Sequence, residues 1–563
     1  MNSLLLVLVS LVAFGVAYLF YAKFLSEKIF ALDPLRKTPA HTRFDGVDFI
    51  PTRPPVLFGH HFASIAGLGP ILGPAIGVIY GWLPALLWVV FGTIFLGAVH
   101  DLGTLVVSLR HDGRTIGDLT EDLIGYRAKI FFVILIFFVL ALAMGVFCLV
   151  ISGLFAEKRP EAVIPTIALI LIAMTIGTAV YKFKVRLFPA TIIGVLLMLA
   201  TVYVGIVVPV KNVTPSQWTY SLLIYAFVAS VLPVWLLLQP RDYLNSFELY
   251  IAVGLLMLGV IVLHPPMSAP VLHNAPNSPP LFPFLFILIA CGAISGFHNL
   301  VSSGTTARQL ATEKDTRIIG YGGMTAEGFV ALLAIVACTA AVGDRAEWLK
   351  GYADFNSANA VTLDMFVRGA GALLASYGIP RAFAETFISV VVVAFAMTTL
   401  DTGTRLLRFN VEEIGETIKV KILSNRYVAS LIAVSAIGYF ALMKVNLPVM
   451  ENGEIIYKLV PAGKTLWKLF GTTNQLLAAM GLLVVSIYLY RRKKPMWYTV
   501  LPMVFMLVLT IYAMLFQLHE FWLETPKNMP LIVTSLILIV ISFWLVLEAV
   551  IVFKKLKKSF KEG

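Results

Sequence analysis

Long apolar runs, which charged residues rarely interrupt, dominate this chain. Fifteen runs each approach the roughly 20 residues that a helix needs to cross a bilayer, and they lie near 3–22, 56–80, 84–107, 129–153, 162–180, 187–208, 221–239, 247–263, 283–304, 322–342, 382–402, 427–443, 472–490, 496–516 and 530–553. Only 13% of the residues are charged and 59% are hydrophobic, whereas soluble domains carry about 25% charge. A soluble fold has too few interior positions to bury so much apolar surface. We therefore predict an all-α, polytopic membrane protein with about 15 transmembrane helices.

The distribution of basic residues predicts the orientation. If the N-terminus is outside and successive runs alternate direction, the inside segments hold 31 of the 43 Lys and Arg residues. Such an excess is typical of cytoplasmic loops. We expect a multi-pass protein of the cell (inner) membrane with a retained first helix, an outside N-terminus and a cytoplasmic C-terminus. The net charge of +12 then reflects topology and contact with the lipid bilayer, and no nucleic-acid partner is expected.

Two apolar runs contain residues that interrupt helices. In the run 56–80, Gly67, Gly69 and Pro70 predict a break at Gly67–Gly69, because proline cannot donate to the helix ladder and glycine permits unusual dihedrals. A second weak point lies at 230–235. Secondary transporters bind solutes and ions at such breaks near the membrane midplane. The long outside segment 343–381 is expected to be a solvated cap or a gate.

The two weak points open two five-helix blocks of opposite orientation, which predicts an inverted five-helix repeat (LeuT-like) core. The predicted parts are an N-terminal anchor helix and cytoplasmic loop at 1–55, a first repeat at 56–208, a second repeat at 209–410 and accessory helices at 411–563.

A third segment, 293–306, carries hydroxyl groups at membrane depth. Ser302, Ser303 and Thr305 offer oxygen atoms, which hard cations such as Na⁺ prefer as ligands. The alternative is that these hydroxyls bond to their own helix or to a neighbouring one. A sodium site at Ser302 and Ser303 is therefore one of two open interpretations.

Titratable residues inside apolar runs are costly and are usually functional. The sequence contains the following: His60, His61, His100, Asp101, His298, Glu327, Glu385, Asp401 and Glu548. His60 and His61 are adjacent, so they should point to different helix faces. The carboxylate of Asp101 could tune a proton-carrying imidazole at His100. Asp401 and Arg405 are one helical turn apart, which predicts a structural ion pair.

Other kinds of site find little support in the sequence. No H-E-x-x-H, H-x-x-E-H or C-x-x-C pattern and no phosphate-binding P-loop occurs. Cys148, Cys291 and Cys338 lie within apolar runs at scattered spacing, which indicates packing rather than disulfides or metal binding. We expect a protein that is not an enzyme, has no cofactor and uses H⁺ or Na⁺ as a coupling ion.

Several motifs together resemble the carbon starvation protein A family. In order along the chain they are FGHHFASIAGLGPILGP, GAVHDLGTLVVSLRHDG, ISGFHNLVSSGTTARQL, LDTGTRLLRF and LWKLFGTTNQLLAAM, and they span about 56–480. The resemblance implies a bacterial or archaeal inner-membrane transporter of the amino acid–polyamine–organocation superfamily. Family members are described as peptide transporters, and some are similar to pyruvate–proton symporters.

The resemblance also carries over to individual positions, which are His60, His61, Gly67, Gly69, Pro70, Asp101, Gly296, His298, Ser302, Ser303, Gly304, Thr305, Asp401, Arg405, Asn474 and Gln475. One departure is visible, because His100 stands where the family pattern leads us to expect Gln. The extra titratable group leaves the choice of coupling ion open.

We therefore predict a cation-coupled symporter that imports a small carboxylate such as pyruvate, linked to carbon starvation. The expected substrate site contains His61, Gly67, Gly69, Pro70 and His298, and the expected ion site contains Ser302, Ser303 and Thr305. Proton relay or gating is assigned to His60, His100, Asp101, Asp401 and Arg405. Short-peptide uptake by the same fold, a membrane-embedded nutrient sensor and a channel are the alternatives.

Overall fold

The apolar runs fold as helices in the computed structural model, which describes residues 2–46, 48–233, 236–451, 454–524 and 527–562. The helices before the first long connector are α1 Ser3–Val16, α2 Pro39–Thr42, α3 Pro54–Ile65, α4 Gly69–Gly77, α5 Trp82–Gly92, α6 Ala98–Arg110, α7 Ile116–Leu123, α8 Tyr126–Gly153, α9 Val163–Tyr181, α10 Leu187–Val207, α11 Pro215–Val231 and α12 Leu238–Leu263. The helices after it are α13 Leu281–Leu288, α14 Phe297–Gly304, α15 Gly323–Thr339, α16 Arg345–Gly351, α17 Phe355–Ala375, α18 Arg381–Thr417, α19 Arg426–Leu442, α20 Gly463–Arg491, α21 Trp497–Leu523 and α22 Met529–Glu562.

Eleven helical stretches in the described ranges, with α5–α6 counted as one, are long and apolar enough to cross a membrane, and the bent pair α3–α4 makes a twelfth if it is counted as one span. The all-α membrane prediction is confirmed to that extent. The three remaining apolar runs, 221–239, 283–304 and 427–443, fall on the shorter helices α11, α13–α14 and α19. Two short strands, Lys444–Glu451 and Glu454–Pro461, form an antiparallel hairpin between α19 and α20.

Of the two alternatives for the segment predicted to lie outside, the solvated cap was wrong, and the gate stays a prediction. The segment 343–381 contains α16 and the 21-residue helix α17. Trp348 and Tyr352 are fully buried, and Phe366 is nearly so. Asp354 begins α17 by accepting hydrogen bonds from the amides of Asn356 and Ser357, at 2.8 and 3.0 Å. This segment therefore packs on the bundle rather than forming a solvated cap.

The bundle has a clear centre. The most apolar stretch of α20 is entirely buried, whereas those of α1 and α10 are one-third buried. Two long helices, α8 and α18, pack along each other, and α20 packs against α6, α8 and α14. Helices α9 and α10 form a hairpin at the edge of the bundle. A fully buried helix carries polar side chains only where they have hydrogen-bonding partners. The buried polar side chains and their partners therefore locate the candidate functional site.

Candidate functional site

The first break lies where the sequence predicts it. Helix α3 ends at Ile65, α4 begins at Gly69, and their axes differ by 45°. Pro70 occupies the first turn of α4, where its missing N–H costs nothing. A side chain at Gly67 would overlap Thr399 of α18, and one at Gly69 would overlap Cys291. The break is therefore held between α18 and the segment before α14.

Two more interruptions follow. One separates α11 from α12, although Val234 and Trp235 of the predicted weak point lie outside the described residues. The other is the non-helical segment 289–296 between α13 and α14. This segment crosses α4, and a Cβ atom placed on Gly73 would lie 2.6 Å from the carbonyl oxygen of Leu288. The break in α3–α4 and the break in α13–α14 thus meet inside the bundle.

Few amides at the first break are free to bind an anion. Ile71 and Leu72 both donate to the carbonyl oxygen of Leu68, and proline at position 70 has no N–H. Among the described residues, the structure shows no acceptor for the amides of Leu68 and Gly69. Amides at the start of a helix attract negative charge, so these two groups are suited to a carboxylate.

His60 and His61 point in different directions, as predicted. The Nδ1 atom of His60 lies 3.1 Å from the carboxylate of Asp242 on α12. The Nδ1 atom of His61 lies 2.9 Å from the hydroxyl of Thr306, which follows α14. Each imidazole therefore joins α3 to a different part of the bundle.

A buried group of four titratable residues, which we call the His298 cluster, lies on α6, α14 and α15. It comprises His100, Asp101, His298 and Glu327, all with no exposed surface. The two carboxylate oxygens of Asp101 lie 2.7 Å from His100 Nδ1 and 2.8 Å from His298 Nδ1. The other ring nitrogen of His298 is 3.0 Å from Glu327 Oε2. One imidazole is thus held between two carboxylates.

A second buried group, the Arg241 cluster, lies on the other side of α3. It comprises His60, Tyr225, Arg241, Asp242 and Asp401. Arg241 donates to Asp242 at 2.9 Å and to the hydroxyl of Tyr225 at 3.1 Å, and it forms a close ion pair with Asp401. The Tyr225 hydroxyl donates to Asp401 at 2.6 Å. Here one guanidinium balances two carboxylates from different helices.

The predicted ion pair between Asp401 and Arg405 was wrong. Asp401 pairs with Arg241, and Arg405 donates to the backbone carbonyls of Ala229 and Leu232 at the end of α11. Helix spacing permits the predicted pair, but the break after α11 presents unpaired carbonyls to Arg405 and brings Arg241 to Asp401. Carbonyls at a helix end lack partners within the helix, so a guanidinium satisfies them well.

The hydroxyls of the predicted ion site differ in what they contact. Ser303 donates to the carbonyl of Asn299 at 2.7 Å and accepts from the amide of Ile116 at 3.1 Å. Thr305 donates to the carbonyl of Val301 at 2.9 Å. The buried hydroxyl of Ser302 has no hydrogen-bonding partner within the described part of the chain. In the same ranges, no group of three or more His, Cys, Asp or Glu side chains is arranged to hold a metal ion.

Asn474 and Gln475 belong to the site, although the sequence suggested an accessory helix. Asn474 accepts from the amide of Phe297 at 2.9 Å, and its amide group donates to Ser295 at 3.1 Å. Gln475 donates to the carbonyl of Phe286. Helix α20 therefore supplies the polar partners that the broken α13–α14 needs.

Sequence reasoning missed the roles of Tyr225, Arg241 and Asp242, and it did not assign Glu327 to the site. Arg241 and Asp242 directly follow the weak point at 230–235, where charged residues adjoin an apolar run. That position was the available signal. Their partners Asp401 and His60 are 160 and 182 residues away in the chain, so spacing along the sequence could not reveal the cluster.

Comparison with known proteins shows which family the chain resembles. A family model described as carbon starvation protein CstA matches residues 2–362 and 347–513. The chain is 32% identical over 595 residues to the pyruvate/proton symporter BtsT of Escherichia coli (strain K12), with 91% of this chain and 81% of the relative covered. It is 30% identical over 610 residues to the peptide transporter CstA of Bacillus subtilis (strain 168), with 100% and 98% covered.

Among solved structures, the chain resembles a manganese transporter of Eremococcus coleocola. The TM-score is 0.47 and the identity 11%, over 92% of this chain and 99% of that chain.

Proposed function

The chain belongs to the carbon starvation protein CstA family, and we propose that it is a secondary active transporter that imports a small carboxylate such as pyruvate together with a coupling cation. One relative carries the name pyruvate/proton symporter. The observation that carries the proposal is the meeting of two broken helices beside two buried clusters of titratable groups. Such side chains inside a membrane bundle mark ion and substrate pathways.

The substrate carboxylate is proposed to bind at the break between α3 and α4. The amides of Leu68 and Gly69 have no acceptor among the described residues, and the N-terminus of α4 attracts negative charge. Thr399 and Cys291 pack tightly there, so binding requires α18 or the segment 289–296 to move. Rocking of one group of helices against another would alternate access to the two sides of the membrane. No chemical conversion of the substrate is needed.

We further propose an inverted repeat of five helices within this bundle. One unit consists of α3–α4, α5–α6, α8, α11 and α12, and the other of α13–α14, α15, α18, α19 and α20. Each unit opens with a broken helix. Helices α11 and α19 both pack against α8 and α18, and α12 contacts α3 as α20 contacts α14. These units end at different residues from the repeats predicted from the sequence, which end at residues 208 and 410. The reason is that the α9–α10 hairpin is treated as an insertion in the first unit.

The coupling cation has two candidate positions. A proton would bind among the buried imidazoles and carboxylates. Sodium would bind near Ser302, whose hydroxyl oxygen has no hydrogen-bonding partner among the described residues, with carbonyl oxygens completing its shell. Ser302→Ala should weaken transport if sodium is the cation. Ser303→Ala is the matched control for structural damage, because the hydroxyl of Ser303 accepts a hydrogen bond from the amide of Ile116.

The experiment that tests the function is uptake of labelled pyruvate into proteoliposomes with proton and sodium gradients imposed separately. We expect saturable accumulation above the no-gradient control with one of the two gradients. Uptake that neither saturates nor follows a gradient would indicate a channel. Binding of solute without flux by folded protein would indicate a sensor and contradict the proposal.

A second substrate class has specific support, because several relatives are named peptide transporters, including one of which 98% of the length is covered. A short peptide needs a larger cavity than pyruvate and partners for both termini. Competition of di- and tripeptides against labelled pyruvate separates the two classes. Inhibition by peptides but not by small carboxylates, together with accumulation of labelled peptide, would favour the second class.

A further inference from the structure

The charges of the His298 cluster do not cancel when one imidazole is charged. Each oxygen of Asp101 contacts an imidazole, at 2.7 and 2.8 Å. His298 has its second nitrogen 3.0 Å from Glu327, so one imidazole faces two carboxylates. With His298 charged, His100 neutral and both carboxylates ionised, the cluster carries one negative charge. With one proton added, it is neutral.

The environment makes that imbalance costly. All four side chains of the cluster have no exposed surface, and a net charge buried in a low-dielectric interior is strongly unfavourable. Neither carboxylate oxygen of Glu327 has a hydrogen-bonding partner among the residues the structure describes, although Oε2 lies within ion-pair distance of His298 Nε2, at 3.0 Å. Oε1 has no such neighbour, so it is the oxygen in this cluster on which a proton meets no competing contact.

The titratable groups that face this pair lie on α6, on α3 and on the segment before α14. His100 and Asp101 lie on α6, His61 lies on α3, and Cys291 lies on the segment before α14. Helix α20 contributes the polar but non-titratable Asn474 through its contacts with Ser295 and Phe297. Arg241 is instead engaged with Asp242 and Asp401 in the other cluster.

We propose that Glu327, paired with His298, carries the coupling proton, and that one proton moves with each monovalent carboxylate. The inference rests on the proposed function. Protonation of Glu327 neutralises the cluster, and loss of the proton leaves a negative charge that draws α15 toward His298 at the start of α14. Because the segment 289–296 before α14 also packs on the break at Gly69, the state of this pair biases the substrate site.

The decisive variant is Glu327→Gln, which keeps the size of a protonated glutamate and cannot release a proton. In proteoliposomes containing the full chain, wild-type protein should accumulate pyruvate up to about tenfold for one unit of pH gradient. With one proton carried per anion, the ratio of pyruvate concentrations across the membrane approaches the ratio of proton concentrations. The variant should lose this accumulation completely. It should retain exchange of labelled for unlabelled pyruvate, which needs no net proton movement and also shows that the protein is folded.

A matched control is available. Glu248 on α12 is also fully buried, and neither of its oxygens has a hydrogen-bonding partner in the described ranges. Glu248→Gln should keep accumulation driven by the pH gradient. Loss of accumulation in this variant, with accumulation retained in Glu327→Gln, would overturn the assignment and move the proton site to α12.

A second readout does not depend on the substrate. Infrared difference spectra of the protein in lipid should show the band of a protonated carboxylic acid that disappears as the pH rises, and Glu327→Gln should lack that band. An unchanged band in the variant overturns the assignment even if pyruvate is not the substrate. Conversely, absence of pyruvate exchange in wild-type protein, with the band assigned to Glu327, would refute pyruvate as the substrate while supporting the proton site.

Discussion

His60 and His61 are neighbours in the chain, yet they contact groups on opposite sides of α3. His60 lies 3.1 Å from Asp242, and His61 lies 2.9 Å from Thr306. One residue therefore joins the broken helix to the Arg241 cluster, while the other joins it to the end of α14 near the His298 cluster. A movement of α3 must disturb contacts on both sides, so the contacts of both clusters depend on the position of α3.

Removal of Arg241 should strongly destabilise the protein. Arg241→Met leaves Asp242 and Asp401 buried without their guanidinium, and breaking a buried ion pair in this way costs about 3–5 kcal/mol. The measurement is thermal unfolding of detergent-purified protein. Arg381→Met is the matched control, because Arg381 is half exposed and pairs with Glu385 one turn away. That variant should lose about 1 kcal/mol or less. Equal unfolding temperatures of the two variants would contradict the stabilising role of Arg241.

A methyl group at position 69 should block movement at the first break. Gly69→Ala places a Cβ atom against the side chain of Cys291, and overpacking of this kind costs about 1–3 kcal/mol. We expect transport to fall sharply and to recover partly in Gly69→Ala with Cys291→Gly, which removes the obstructing atoms. Gly254→Ala is the control, since an added Cβ there meets no atom within 4 Å. A double variant no better than the single one would show that the clash is not the cause.

Loss of the Asn474 side chain should damage transport more than its effect on stability alone would suggest. Asn474→Ala removes the acceptor for the amide of Phe297 and the donor to Ser295, at a cost of about 1–3 kcal/mol. Ser486→Ala in the same helix also removes a buried hydrogen bond, to the carbonyl of Leu482, but far from the break. Thermal unfolding and pyruvate uptake should be measured for both. Uptake that falls equally with the two variants would argue against a special role for Asn474.

The start of α17 should depend on pH. The hydroxyl and amide of Ser357, with the amide of Asn356, hold the pKa of Asp354 below its usual range. Because the pKa is lower in the folded state than in the unfolded state, this stabilisation is complete above the unfolded pKa and is lost as the pH falls through the folded pKa. The protection factors of the amides in the first turn of α17, which compare exchange with the intrinsic rate at the same pH, should therefore fall in acid.

Two variants make that prediction specific. Asp354→Ala removes the cap at about 1 kcal/mol and should lower these protection factors at neutral pH. Asp354→Asn keeps an acceptor that does not titrate, so its protection factors should not fall in acid. If the aspartate and asparagine forms respond to acid alike, the cap does not titrate as described.

The prediction from sequence succeeded where local chemistry decides the outcome. The break at Gly67–Gly69 follows from proline and glycine in one run, and the different directions of His60 and His61 follow from helix geometry. It failed for Asp401 and Arg405, because a pair that suits helix spacing competes with partners from other helices. The prediction from sequence also missed α17, because polar residues interrupt the apolar pattern of this helix, which packs on the bundle.

The sequence alone determined that this is a helical membrane protein and where the span α3–α4 breaks, because hydropathy and backbone restrictions act over a few neighbouring residues. The tertiary structure decided which charges meet. Asp101 and His298 are 197 residues apart, and Arg241 and Asp401 are 160 residues apart. Those contacts arise from how helices cross in space, and no local pattern in the chain records the crossing. The pairing of buried charges, and with it the candidate proton site, is therefore a property of the fold.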